Sequence, residues 1–180
     1  MAAEGALDIF LHPLVVLSIA DHYTRTISQN PKGPRRCLGL LFGEQDGRAV
    51  RIFETVEMAF EETTKGQPQI VTEAVETDMK LFSEAYANYE CLGWYSSGTE
   101  ILPYDSVLHT QFKKYNERPL FVLMNPSLVS DGMRDLPLTI YEEVIHVVND
   151  KTTSEFVKTA YVVQADEAER ITVTYCAKVA

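Results

Sequence analysis

Apolar residues recur in this chain with two different periods, and the alternation between them restricts the fold more than any single motif. Val16, Ile19, Ala20, Tyr23 and Ile27 follow one another at helical spacing after His12-Pro13. A proline at the first helical position is tolerated because its missing N–H would have no intrahelical partner. Val75, Met79, Phe82, Tyr86 and Tyr89 repeat the pattern in a second helix that Thr72 can cap, with Glu76, Asp78, Lys80 and Glu84 on the opposite face. Two other runs, residues 36–42 and Leu120-Phe-Val-Leu-Met124, are too short for helices and are bounded by Gly43 and by Asn125-Pro126. The second is apolar throughout, as in a strand buried on both faces.

The remaining segments fit around these anchors. Gln45-Asp46-Gly47-Arg48 reads as a hairpin turn leading into a partner strand over 49–59, and residues 60–71 read as a loop broken at Lys65-Gly66-Gln67-Pro68. Residues 92–95 form a strand, 105–115 a helix opened by Asp105-Ser106, and 127–135 a loop. Residues 138–148 and 155–163 form a hairpin across Asn149-Asp150-Lys151, whereas 166–180 is compatible with either helix or strand. The order helix, hairpin, helix, strand, helix, strand, hairpin predicts one α/β domain over 1–180, a mixed central sheet flanked by helices, with residues 1–7 a flexible leader.

A net charge of −10 and a pI near 4.8 argue against nucleic acid as a direct partner. Cys37, Cys91 and Cys176 show no paired spacing and suit a reducing compartment. The N-terminus lacks the basic start and apolar core of a secretion signal, and no apolar run is long enough to span a bilayer.

Gly93-Trp94-Tyr95-Ser96-Ser97-Gly98-Thr99, with Asp105, Ser106 and His109 beyond it, is on its face a strand, a polar turn and a helix start. Asp105 or Ser106 reads as the helix N-cap. His109 shares a helix face with Ser106 and Lys113, opposite Leu108, Phe112 and Tyr115, and is expected to be solvated or hydrogen-bonded rather than a ligand. The same stretch resembles the MPN domain, whose active, JAMM-type members read Gly-Trp-Tyr-His-Ser-His-Pro there. The resemblance aligns the two family histidines with Ser96 and Gly98, a family serine with Ser106 and a family aspartate with His109. Cys37-Leu-Gly-Leu-Leu-Phe-Gly43 is similar to the strand that follows the family's catalytic glutamate, and Arg36 stands at that glutamate's position. Leu11-His-Pro-Leu-Val-Val-Leu-Ser-Ile-Ala-Asp-His-Tyr-Thr-Arg25 is similar to the opening of the catalytically silent members, and Asp135–Glu142 and Gln164–Val173 look most like the branch found in the COP9 signalosome.

The resemblance therefore implies a curved, partly barrel-like MPN fold and a degenerate zinc-protease site at Arg36, Ser96, Gly98, Ser106 and His109, with no metal and no cofactor. A catalytic zinc takes three protein ligands from His, Asp, Glu or Cys. Glycine offers none, a serine hydroxyl is a poor one, and an arginine repels the ion. What it further implies is a non-catalytic scaffold that pairs with a catalytic MPN subunit and other signalosome subunits, acting indirectly on cullin-RING ubiquitin ligases by removal of Nedd8. It also implies residence in nucleus and cytoplasm, no membrane or nucleic-acid partner, and helices beyond Ala180 in a longer protein. The proteasome lid and translation initiation factor 3 hold silent MPN subunits as well. A rival reading is a cysteine hydrolase built from Cys91 or Cys176 with His109 or His146. The resemblance further implies that the helices over 13–27 and 72–89 bear the pairing surfaces, with Leu14 and Leu17, off the main stripe of the first helix, as the candidate partner-interface residues.

Overall fold

The structure is a computed structural model that describes residues 6–33, 35–130 and 136–165. Its centre is an eight-stranded mixed sheet in the order β10-β1-β3-β2-β6-β7-β8-β9. Strand β1 (Asp8–Leu11) lies parallel to β3 (Ala49–Met58) on one side and to β10 (Tyr161–Val163) on the other. Strand β2 (Leu38–Asp46) pairs antiparallel with both β3 and β6 (Glu90–Ser97). Parallel β6 and β7 (Leu120–Met124) are followed by the antiparallel hairpin β8 (Leu138–Val148) and β9 (Lys151–Thr159). Only Ala160 separates β9 from β10, so the chain leaves one edge of the sheet and joins the other at once, which curls the sheet toward a barrel. Register shifts at Phe42/Gly43 against β3 and at Leu41/Phe42 against β6 add local twist.

Both faces of the sheet are covered, which explains its continuous apolar runs. On β7, Leu120, Val122 and Met124 face a core shared with Val15 and Ile19 of α1 (Pro13–Gln29), while Phe121 and Leu123 face a second core. That second core includes Val75 of α2 (Thr72–Ala85) and Leu108 and Phe112 of α3 (Pro103–Phe112). Gly39 and Tyr95 are cross-strand partners, and the tyrosine ring lies where a Cβ on Gly39 would be, 2.1 Å from its Cε1. The Tyr95 hydroxyl and His22 Nδ1 of α1 share a hydrogen bond of 2.7 Å. Burial holds the His22 imidazole below, and the Tyr95 phenol above, their ordinary ranges, so the pair stays neutral.

Several expectations change. Ala6 and Leu7 belong to the folded body, with Arg48 Nε donating to the Ala6 carbonyl at 3.0 Å and Leu7 packed on the core. Strand β1 follows directly. Helix α1 buries Val15 with Ile19, so its inner stripe is rotated from the one predicted through Val16, which is only partly buried. The 60–71 segment holds a small hairpin, β4 (Phe60–Glu62) with β5 (Pro68–Ile70). Helix α2 is capped by Val71 and stops at Ala85, short of Tyr89; Thr72 is its first residue. A five-residue helix α4 (Pro126–Ser130) opens the predicted 127–135 loop. The β8–β9 turn is a tight one at Asn149-Asp150, both with positive φ, so β9 starts at Lys151 rather than at 155. The ambiguous 166–180 segment and Cys176 lie outside the described residues.

Candidate functional site

The end of β6, the lead-in to β2 and the first turn of α3 converge on a pocket of about 170 Å³. Its lining includes Arg36, Ser96, Gly98, Leu102 and Asp105. Two exchanges hold the strand ends together: Cys37 N–H donates to Ser97 Oγ at 3.0 Å, and Ser97 N–H to the Cys37 carbonyl at 3.2 Å. Gly98 N–H donates to the Met124 carbonyl at 2.9 Å, tying the turn to β7.

Arg36 projects across this pocket. Its Nε donates to Ser96 Oγ at 2.8 Å and its Nη2 donates to Asp105 Oδ1. Asp105 is 1% exposed, and its other oxygen accepts the Leu102 N–H at 2.8 Å. Helix α3 thus starts two residues earlier than the sequence predicts, at Pro103 with Leu102 as N-cap, and Asp105 acts from the third position by reaching back to the cap. Its carboxylate is held by the guanidinium, the cap amide and the positive end of the helix dipole.

Of the sequence-predicted positions, Arg36, Ser96 and Gly98 meet in this pocket. Ser106 is exposed on the far side of the first turn, where its carbonyl accepts from Thr110 Oγ1 at 2.9 Å. His109 lies outside the pocket lining and is not solvated: it is 1% exposed. Its Nδ1 accepts from Trp94 Nε1 at 3.0 Å, and its ring meets Phe156 of β9 edge-on at 5.0 Å between centroids. Helical spacing put His109 opposite Leu108 and Phe112, but the curl of the sheet carries β8 and β9 over that side of α3 as well. The Nδ1 bond fixes the neutral tautomer with the proton on Nε2, which lies 3.7 Å from Glu143 Oε2 and finds no hydrogen-bond partner. Burial pushes the His109 imidazole down to about 4, against the pull of Glu143. Glu143 also binds Lys113; despite the opposing effect of burial, hydrogen bonds from Lys113 and Ser154 hold its carboxyl below its usual range.

The decisive partner missed in the sequence is Asp105, which a helix-capping reading accounted for without Arg36. A buried carboxylate sixty-nine positions from an arginine carries no pairing signal along the chain.

A family model described as "JAB1/Mov34/MPN/PAD-1 ubiquitin protease" matches residues 4–118, more than half of the chain. The chain belongs to this family. The MPN domain is 40% identical to "COP9 signalosome complex subunit 6" of Dictyostelium discoideum over 99% of this chain and 56% of that protein. It is 33% identical to "COP9 signalosome complex subunit 6b" of Arabidopsis thaliana over 98% of this chain and 60% of that protein. The Drosophila melanogaster subunit 6 is 30% identical over 97% of this chain and 50% of its own length. The chain thus spans a little over half the length of these relatives. A solution structure of a Desulfitobacterium hafniense protein superimposes with a TM-score of 0.53 at 11% identity, covering 88% of this chain and 95% of that one, which shows the shared fold.

The family's active members use zinc, and the residues here do not fit that ion. Asp105 has both oxygens engaged, Ser96 Oγ accepts from Arg36, Gly98 has no side chain to offer, and a guanidinium bridges Ser96 and Asp105. Among the described residues no group of three His, Cys, Asp or Glu side chains gathers in a way that could hold a metal. Among the described residues the thiol constellation finds no support either. Cys37 and Cys91 are buried, burial pushes the Cys91 thiol up to about 11, and its Sγ donates to the Gly93 carbonyl at 3.7 Å. His146 lies far along the exposed hairpin, paired with Glu155 at 3.0 Å.

Proposed function

We propose that this MPN domain is a non-catalytic scaffold unit of a COP9 signalosome, in the place taken by subunit 6. It pairs there with the catalytic MPN subunit of the complex that removes Nedd8 from cullin-RING ubiquitin ligases. The observation that carries the reading is the similarity to subunit 6 proteins over nearly the whole chain. The pocket lined by the Arg36 guanidinium supports the non-catalytic part, since a hydrolytic zinc needs an open coordination position and a carboxylate to take a proton from its water. A fold that loses its ligands retains its surfaces, and a surface can bias the assembled complex between inactive and active arrangements. Leu14 and Leu17, 54% and 63% exposed on α1, offer apolar contact area for the sibling subunit, and Leu81 of α2 is exposed as well. Residence in nucleus and cytoplasm, as a soluble part of that complex, belongs to the same reading.

Affinity purification of the native protein, with identification of what co-purifies, tests it. Recovery of signalosome subunits is expected; recovery of proteasome-lid or initiation-factor subunits in their place would move the domain to another assembly.

A further inference from the structure

We propose that Arg36 is an internal cation that replaces the family's metal as the structural centre of this pocket, its guanidinium cross-linking the lead-in to β2, the end of β6 and the first turn of α3. Three features make the assignment. The pocket holds a carboxylate that is 1% exposed, and a buried charge with no counter-charge would cost several kcal/mol in this environment. Arg36 supplies that charge from within the chain and is itself only 15% exposed at its side chain. It also uses two different nitrogens for two different partners, Nε for Ser96 Oγ and Nη2 for Asp105 Oδ1. A rigid planar fork can do this and a lysine ammonium, a point charge on a flexible stem, does it poorly.

Among the described residues no other ion pair joins these three elements. A bound metal organises a site by drawing ligands from separate segments to one centre. Here the direction is reversed, with the cation fixed to the backbone and its partners gathered to it. Cys37, next in sequence, is locked to Ser97 by its amide and carbonyl, so the arginine stem leaves from an anchored point. The pocket therefore keeps its form without an ion. Truncating Arg36 should leave a guanidinium-shaped vacancy facing Asp105, which is a binding site for a free alkylguanidinium.

The test uses the whole chain, with thermal unfolding as the readout. Arg36→Ala is expected to lower Tm by about 10 °C, as removal of one partner of a buried pair does. Millimolar ethylguanidinium should restore part of that loss saturably, while leaving wild type unmoved, because a ligand that binds only the folded state stabilises it by mass action. A chelator should leave the wild-type Tm unchanged. If Arg36→Ala does not fold, Arg36→Lys and the double variant Arg36→Met with Asp105→Asn take its place. The double variant, having no unpaired charge, should then be more stable than Asp105 left alone by Arg36→Met. An Arg36→Ala loss equal to that of an exposed arginine would overturn the assignment. So would equal effects of ethylguanidinium on variant and wild type, purely additive Arg36 and Asp105 effects, or a chelator-sensitive wild type.

Discussion

Protonation of His109 should be a main acid-sensitive event in this domain, and the single tryptophan of the chain sits on it as a reporter. The imidazole is neutral in the folded state because burial holds it at about 4, whereas in the unfolded chain it titrates at its ordinary 6.5. Between those values the unfolded chain binds a proton that the folded chain refuses, so stability falls as pH drops through that window and levels off below it. At ~1.4 kcal/mol for each pH unit of separation, the full effect is about 3 kcal/mol, of which roughly 2.5 kcal/mol is lost between pH 7 and pH 4.5. Glu143, held below its usual range, loses its contribution only at still lower pH, so it stays out of this interval. His22 does not, since burial lowers it too. The comparison is therefore between wild type and His109→Asn, which keeps an acceptor for Trp94 Nε1 but does not titrate. Urea unfolding followed by Trp94 fluorescence at pH 7, 6, 5 and 4.5 gives both curves. The variant should be flatter than wild type by about 2.5 kcal/mol over that range. Parallel curves would show that His109 is not held neutral and that the Trp94 bond does not fix its tautomer.

Elemental analysis after dialysis near neutral pH should find well under one zinc per chain; a full equivalent lost on His109→Ala would refute the non-catalytic reading. Leu14→Asp or Leu17→Asp should weaken pairing with the catalytic sibling while leaving the circular-dichroism melt intact, and native affinity in both variants would put the contact elsewhere. In a reconstituted complex whose assembly is checked separately, Ser96→Ala or His109→Ala should change turnover of a neddylated cullin less than tenfold, or about 1.4 kcal/mol; a loss of several orders of magnitude for His109→Ala would place that residue in catalysis. Gly39→Ala should cost about 2 kcal/mol in denaturant unfolding, because its Cβ would displace the Tyr95 ring and break the bond to His22; a neutral result would mean the ring moves freely.

What could be read from the chain alone was whatever has a short period. The buried strand Leu120–Met124, the helix opened by Pro13 and the Asn149-Asp150 turn are dictated by neighbours a few residues apart. Strand β1 was not legible, because Asp8–Leu11 is too short to show alternation and becomes a strand only through Ala49–Ile52 and Tyr161–Val163. The site divides in the same way. Arg36, Ser96 and Gly98 could be placed together by resemblance, but the carboxylate that answers Arg36 could not, since Asp105 has a sufficient local role at the start of α3, where it accepts the cap amide. The hydrogen bond expected for His109 is present, but its burial was not legible, because a helix face that looks outward by its own periodicity is covered by Phe156, a residue from a hairpin that returns much later.

The passage from β9 to β10 through Ala160 has a consequence for the order of events in synthesis. Ile9 is among the first residues of the fold to emerge from a ribosome, and its second strand neighbour, Tyr161, is among the last of those described. Until that neighbour arrives, β1 has β3 on one side and a row of open peptide groups on the other, an edge able to recruit a foreign strand. Closure also joins contacts of very large sequence separation, the kind that slows folding most. The nascent domain therefore spends most of its translation as an open curl, and any chain interrupted before residue 161 carries that edge permanently.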